Sequence, residues 1–187
     1  MQQAFDTIAE KYDASFTHSI IGKEQRQIVW GYLEKTLLNH KNLNILELNC
    51  GTGEDALWFA KKGHKVLATD ISEKMLEIAE QKIITAGLNS IVQTLQIDIK
   101  NIIDFQLKEK FDLIFSNFGG MNCMSFEEME KLTSEVKKLL KPGGQLIMVV
   151  MPAFCLWETI YFVLKLNFRN AFRRLSKKGA IIKFNGI

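Results

Sequence analysis

The chain has little proline, and its few cysteines are in no arrangement that staples or metallates a fold. With 2 prolines, 12 glycines and no low-complexity run or internal repeat in 187 residues, no composition break marks a second domain. Cys50, Cys123 and Cys155 are widely spaced and include no Cys-x-x-Cys pair. That spacing suggests neither a disulfide framework nor a zinc site and fits a reducing cytoplasm. His18, His40 and His64 do not join them at ligand spacing, so no metal is expected. The N-terminus, Met-Gln-Gln-Ala-Phe-Asp, lacks a charged region followed by an apolar one, so no secretory signal is expected there. A formal charge of +3 is too small to argue for nucleic acid, and none is expected as a partner. Hydrophobic content of 47% with 24% charged residues suffices for one core, which predicts a single domain over residues 1–187.

Against these absences stands one informative stretch, residues 44–60. Ile45, Leu46 and Leu48 suit a buried parallel strand, Gly51 and Gly53 let the backbone bend and approach a ligand, and Ala56, Phe59 and Ala60 open a helix. Amides at the start of such a helix face a ligand. The pattern Gly51-x-Gly53-x-x-Ala56 also satisfies the dinucleotide fingerprint, and a tight strand-to-helix turn without a ligand satisfies it too. Glu47 reads equally as a ligand contact or as a carboxylate held by loop amides.

Around this loop the chain alternates. Phe5, Ile8, Ala9, Tyr12 and Phe16 predict an amphipathic helix, and a second helix is expected over about residues 23–38. Strands are expected at 65–69, 91–97, 111–116 and 145–150, with helices at 73–86 and from Ser125 onward between them. This is an α/β pattern, a doubly wound parallel sheet covered on both faces. Ser72 is the expected N-cap of the helix from Glu73, which leaves Asp70, at the end of the second strand and beside the glycine loop, to accept both hydroxyls of a ribose. Asp98 and Ile99 end the third strand, where a carboxylate can accept from an adenine amino group, although a strand-end Asp also caps turns. Asn117 and Phe118 follow the fourth strand. Ser125 with Glu128 forms a capping box, and Lys141-Pro-Gly-Gly144 is a sharp turn.

Taken together, these segments resemble the class I S-adenosylmethionine-dependent methyltransferases, in particular the branch of ubiquinone and menaquinone methylases. Glu47-Leu-Asn-Cys-Gly-Thr-Gly53 is similar to the family's first motif, Ala68-Thr-Asp-Ile-Ser72 with Met75 to its second, Asp98-Ile99 to its third, and Lys141-Pro-Gly-Gly144 to the turn before its fifth strand. Tyr12-Asp13 resembles its cofactor-covering segment. The resemblance spans roughly residues 4–152 and implies a Rossmann-like fold with an N-terminal helical lid (1–42), a cofactor-binding core (43–152) and a helical insertion or lid (153–178). It implies S-adenosylmethionine as cofactor. Glu47, Asn49, Cys50, Gly51 and Gly53 would hold its methionyl part, Asp70 with Ile71 its ribose, and Asp98 with Ile99 its adenine. Tyr12, Met75, Asn117 and Phe118 would complete the site, the last two on the sulfonium side. The implied activity is methyl transfer to a small-molecule acceptor, with no catalytic base assigned beyond Tyr12, Asp13 and His18 as candidates.

Two departures from the family stand out. Asn49 occupies the place of the family's first glycine, so this position must tolerate asparagine in the left-handed region, which asparagine enters readily. The family's sheet has seven strands, whereas here only Ala180–Phe184 is left as a further strand, so the last strands are expected to be missing and the chain to be truncated. Phe154–Leu175 carries apolar residues at helical spacing with Lys165, Arg169, Arg173, Arg174, Lys177 and Lys178, and no acid follows Glu158. It reads as an insertion packed over the site or as a peripheral membrane contact suited to a lipophilic acceptor. A membrane span is disfavoured by Pro152, Glu158 and the preceding strand pattern. A nicotinamide-dependent oxidoreductase and a non-catalytic cofactor-binding protein stay open as alternatives. No oligomeric state follows from the residues.

Overall fold

Ile45, Leu46 and Leu48 are shielded from solvent on both faces of their strand, the condition of a central parallel strand. In the computed structural model, which describes residues 2–105, 107–118, 120–152 and 155–172, this strand is β1 (Asn44–Leu48). It is followed by β2 (Lys65–Asp70), β3 (Val92–Gln96), β4 (Phe111–Ser116) and β5 (Leu140–Met148). The order is β3-β2-β1-β4-β5, with every neighbouring pair parallel. The direction of winding reverses between β1 and β4, which opens a crevice at their carboxyl ends.

The chain divides into two units between Val150 and Met151. In the first unit, α1 (Gln2–Tyr12) widens into a π-helical turn over Asp13–Thr17, in which His18 N–H donates to Asp13 O at 2.7 Å, and is followed by α2 (Ile20–Thr36). Then come α3 (Glu54–Lys61), α4 (Glu73–Thr85) and α5 (Phe126–Leu139). Their apolar faces make two cores. Leu33 of α2, Leu57 and Phe59 of α3 and Leu76 and Ile83 of α4 pack with Ile45, Val66 and Phe115 on one face of the sheet. Leu132 and Val136 of α5 pack with Leu46, Leu48 and Ile114 on the other. Ser72 caps α4, accepting from Met75 N–H at 3.2 Å, and the Ser125–Glu128 capping box forms.

β5 differs from expectation. It begins at Leu140, which pairs with Phe111 before the Lys141–Gly144 turn, and Gln145 then resumes pairing at Leu113. Gly143 takes φ 81 within this bulge, so the turn interrupts a strand instead of preceding one.

In the second unit the expected helical segment is made of two helices. α6 (Leu156–Leu164) and α7 (Phe168–Ala171) are separated at Leu166, whose φ is 55, and the Asn167 side chain caps α7 by accepting from Asn170 N–H. Thr159 Oγ1 donates to Ala171 O at 3.3 Å and joins the two. α6 has no buried residue. The candidate strand Ala180–Phe184 and the residues Phe154, Arg173, Arg174, Lys177 and Lys178 lie outside the described residues. No helix among the described residues is long and apolar enough to cross a membrane.

Candidate functional site at the carboxyl ends of the strands

The glycine loop runs from the end of β1 into α3 through three left-handed residues, Asn49 (φ 58), Gly51 (φ 55) and Gly53 (φ 80). The two glycines serve different ends. A Cβ on Gly51 would meet nothing within 4 Å, so its face is open to an approaching molecule. A Cβ on Gly53 would stand 2.8 Å from Ala79 Cβ, so this glycine lets α3 begin against α4. Asp70 steadies the loop, its Oδ2 accepting from Gly51 N–H and its Oδ1 from Ser72 N–H, each at 2.9 Å. A carboxylate has about four acceptor sites, so these amides leave capacity for a ligand. Burial raises the Asp70 carboxyl above its usual range, although the amides of Ser72, Gly51 and Ile71 oppose this.

Glu47 is 2% exposed, and its Oε2 has no hydrogen-bond partner. Burial pushes this carboxyl well above the carboxylate range, Asp55 and Asp70 push the same way, and Arg26 opposes them. The Cys50 thiol is pushed up as well, chiefly by burial, so it is no nucleophile at neutral pH. Met75 is buried in α4. Ile71 O accepts from Gln96 Nε2 at 3.0 Å, which links the end of β2 to β3. At the end of β3, Asp98 Oδ1 accepts from Lys100 N–H at 3.0 Å, and Ile99 is buried. Asp98 thus caps a turn at the position where an adenine contact was expected, and it stays only partly buried.

The opposite wall is a network that joins four elements. Asp55, in the first turn of α3, accepts from Trp30 Nε1 at 2.6 Å and from Asn117 Nδ2 at 3.0 Å, and lies 3.4 Å from Arg26 Nε. Burial raises the Asp55 carboxyl against the pull of Arg26 and of these hydrogen bonds. Asn117 Oδ1 accepts from Phe118 N–H, and Phe118, at φ 50, lies under the Arg26 guanidinium at 4.6 Å. Phe16 meets Phe118 edge-on at 5.0 Å and Tyr12 at 5.6 Å. Arg26 is 7% exposed, held between the Asp55 carboxylate and the Phe118 ring, and its buried Nε makes no hydrogen bond.

The N-terminal segment is tied to the same loops. Asp13 accepts from Thr52 Oγ1 and pairs with Lys82, both at 2.6 Å, and Ser72 Oγ donates to Asp6 at 2.6 Å. Burial alone would raise the Asp13 carboxyl, but hydrogen bonds from Lys82, Thr52 and Thr17 outweigh it and hold it low, which makes Asp13 a weak base. His18 is exposed in the following turn. Burial raises the Tyr12 hydroxyl, so it stays protonated.

Tyr12, Glu47, Asn49, Cys50, Gly51, Gly53, Asp70, Ile71, Asn117 and Phe118 therefore surround the ends of β1, β2 and β4, with Asp98 and Ile99 at the end of β3. Arg26, Trp30 and Asp55 escaped the sequence reading. Arg26 and Trp30 stand four residues apart on one face of α2, a signal no stronger than that of any surface pair. Asp55 resembles an ordinary acid in a helix's first turn.

A methyltransferase domain model matches residues 45–144. The demethylmenaquinone methyltransferase of Leptospira interrogans is 28% identical over 151 residues, covering 79% of this chain and 58% of the relative. The tRNA 5-carboxymethoxyuridine methyltransferase of Escherichia coli K12 is 28% identical over 144 residues, 76% of this chain and 54% of the relative. The chain thus spans little more than half the length of these curated relatives. The crystal structure of an S-adenosylmethionine-dependent methyltransferase from Clostridium acetobutylicum superposes with a TM-score of 0.62 at 27% identity, covering 80% of this chain and 58% of that one. The glycine loop alone left a dinucleotide reading open; with more than half of its residues matched, the chain belongs to the methyltransferase domain family.

Proposed function

We propose that the chain binds S-adenosylmethionine at the carboxyl ends of β1 to β4 and transfers its methyl group to a small-molecule acceptor. The observation that carries this reading is a set of buried polar atoms without hydrogen-bond partners at the carboxyl end of the sheet: Glu47 Oε2, Asn49 Nδ2 and Ser116 Oγ. An unpaired buried polar group destabilises a fold by about 1–3 kcal/mol, so a cluster of them calls for a ligand. The residues fit the cofactor. Glu47 offers a carboxylate to an ammonium group, Arg26 its fork to a carboxylate, Asp70 its spare lone pairs to ribose hydroxyls, and Asp98 with Ile99 an acceptor and an amide to adenine. The open face of Gly51 leaves room for close approach. The cofactor supplies an electrophilic sulfonium methyl. The protein's part is to orient the acceptor beside Asn117 and Phe118 and to exclude water with Tyr12 and Phe16.

The acceptor is a small molecule in this reading, and a lipophilic one suits the second unit. Trp157 is 78% exposed, Leu164, Leu166 and Phe168 are also exposed, and Lys165 lies over Tyr161. Apolar side chains beside cations suit an anionic lipid surface. Stronger sedimentation with anionic than with neutral vesicles at low salt is the expected result, and equal sedimentation would remove this part of the proposal.

Calorimetric titration tests the main reading. Saturable heat is expected with S-adenosylmethionine and S-adenosylhomocysteine and none with NADH; the reverse would hand the site to a dinucleotide.

A further inference from the structure

Gly120, in the loop after β4, has no conformational reason to be glycine. Its φ lies outside the left-handed region, so its backbone would accept alanine. What forbids a side chain there is Asn49. A Cβ on Gly120 would lie 2.4 Å from Asn49 Nδ2 and 2.8 Å from both Asn49 Cβ and Cγ. Rotating the asparagine could withdraw Nδ2, but Cβ moves only with the backbone.

Asn49 in turn does nothing for the fold that glycine would not do better. It holds φ 58, a region that asparagine enters readily and glycine more easily still, and its buried Nδ2 has no hydrogen-bond partner, which is a cost to the fold. Its side chain reaches from the end of β1 to the loop after β4, and therefore lies across the crevice where the sheet's winding reverses. A group that is costly to the fold and stands in the ligand's path is explained by what it does to the ligand.

We propose that Asn49 is a specificity-determining residue: its side chain occupies room that glycine would leave open and so sets the size limit of the ligand in the β1–β4 crevice, with residue 120 kept glycine to make space for it. The inference rests on the S-adenosylmethionine reading. The two sides of the crevice are thereby coupled, residue 49 deciding what residue 120 can be.

The test uses Asn49→Gly, Asn49→Asp, Gly120→Ala and the double variant Asn49→Gly/Gly120→Ala, read out by thermal midpoint without ligand and by the ratio of dissociation constants for S-adenosylethionine and S-adenosylmethionine. Gly120→Ala alone should lower the midpoint, and adding Asn49→Gly should restore most of the loss. The two ligands differ by one methylene, so Asn49→Gly should cut the preference for the smaller by about 10-fold or more. Asn49→Asp keeps the bulk and tolerates the left-handed region, so it should keep the preference. A well-tolerated Gly120→Ala, or an unchanged ratio in an Asn49→Gly variant that binds both ligands, overturns the inference. A wild-type chain that binds neither ligand overturns the cofactor reading and the size limit with it. The midpoints would then still report whether Asn49 is what holds residue 120 as glycine.

Discussion

The two ends of the sheet treat their polar groups in opposite ways. At the amino end a cleft of about 200 Å³ is lined by Thr36, Leu37, His40, Asp112 and the Pro142–Gln145 turn. Polar groups at and beside it are paired: Asn44 N–H donates to Asp112 at 2.7 Å, Lys141 pairs with the same carboxylate at 2.8 Å, and Leu43 N–H donates to His64 Nδ1 at 3.2 Å. At the carboxyl end Glu47, Asn49 and Ser116 keep buried atoms without partners. That cleft alone would favour the amino end. The unpaired polar atoms mark the carboxyl end, because a fold under selection for stability alone would have paired or removed them.

The largest way to break this contrast is to remove the carboxylate that anchors the site's wall. Asp55→Ala would leave Arg26 without its counter-charge and Trp30 and Asn117 without their acceptor. Breaking a buried pair from one side costs about 3–5 kcal/mol, to be seen as a lower urea midpoint together with lost ligand binding. Next comes Asp70→Ala, expected to weaken S-adenosylhomocysteine binding by roughly 10- to 100-fold in calorimetry, the worth of one or two charge-assisted hydrogen bonds.

Glu47→Gln sharpens the comparison through pH. Because burial raises the folded-state pKa of Glu47, its contribution to stability is complete below the ordinary carboxylate value and is lost as pH rises through the raised one. The unliganded Gln variant should therefore match the wild type in denaturant at pH 4 and be the more stable at pH 8. Its affinity for the adenosyl ligand should fall, since the ionised carboxylate is the form that receives an ammonium.

The amino end should respond least. Burial would raise the Asp112 carboxyl, but hydrogen bonds from Lys141 and Asn44 hold it low, so its contribution is present at neutral pH and lost as pH falls through that lowered value. The carboxylate is partly exposed, and Asp112→Asn should cost about 0–1 kcal/mol in denaturant titration and leave ligand affinity unchanged.

What was legible in the sequence was what is local. The strand, glycine loop and helix of residues 44–60, the Ser72 cap and the Ser125–Glu128 box each depend on residues a few positions apart, and each formed. The left-handed Asn49 was also legible, because only a backbone departure lets asparagine stand for glycine. The wall of the site was not. The Asp55 contacts to Trp30, Arg26 and Asn117 span 25, 29 and 62 positions and depend on how α2 and β4 are packed, which no periodicity records. The start of β5 was misplaced for the same reason, since Leu140 is a strand residue only by virtue of its pairing with Phe111. The apolar spacing of the second unit gave the helices but not the break at Leu166, because periodicity does not register a single left-handed residue.

The most direct measurement is amide hydrogen exchange on the intact chain with and without saturating S-adenosylhomocysteine. Slower exchange is expected at residues 47–53, 70–72, 98–100 and 116–118, with no change at 36–43 and 141–145. Protection confined to the amino-end segments, or none anywhere, would contradict the claim that the unpaired carboxyl end is the ligand site.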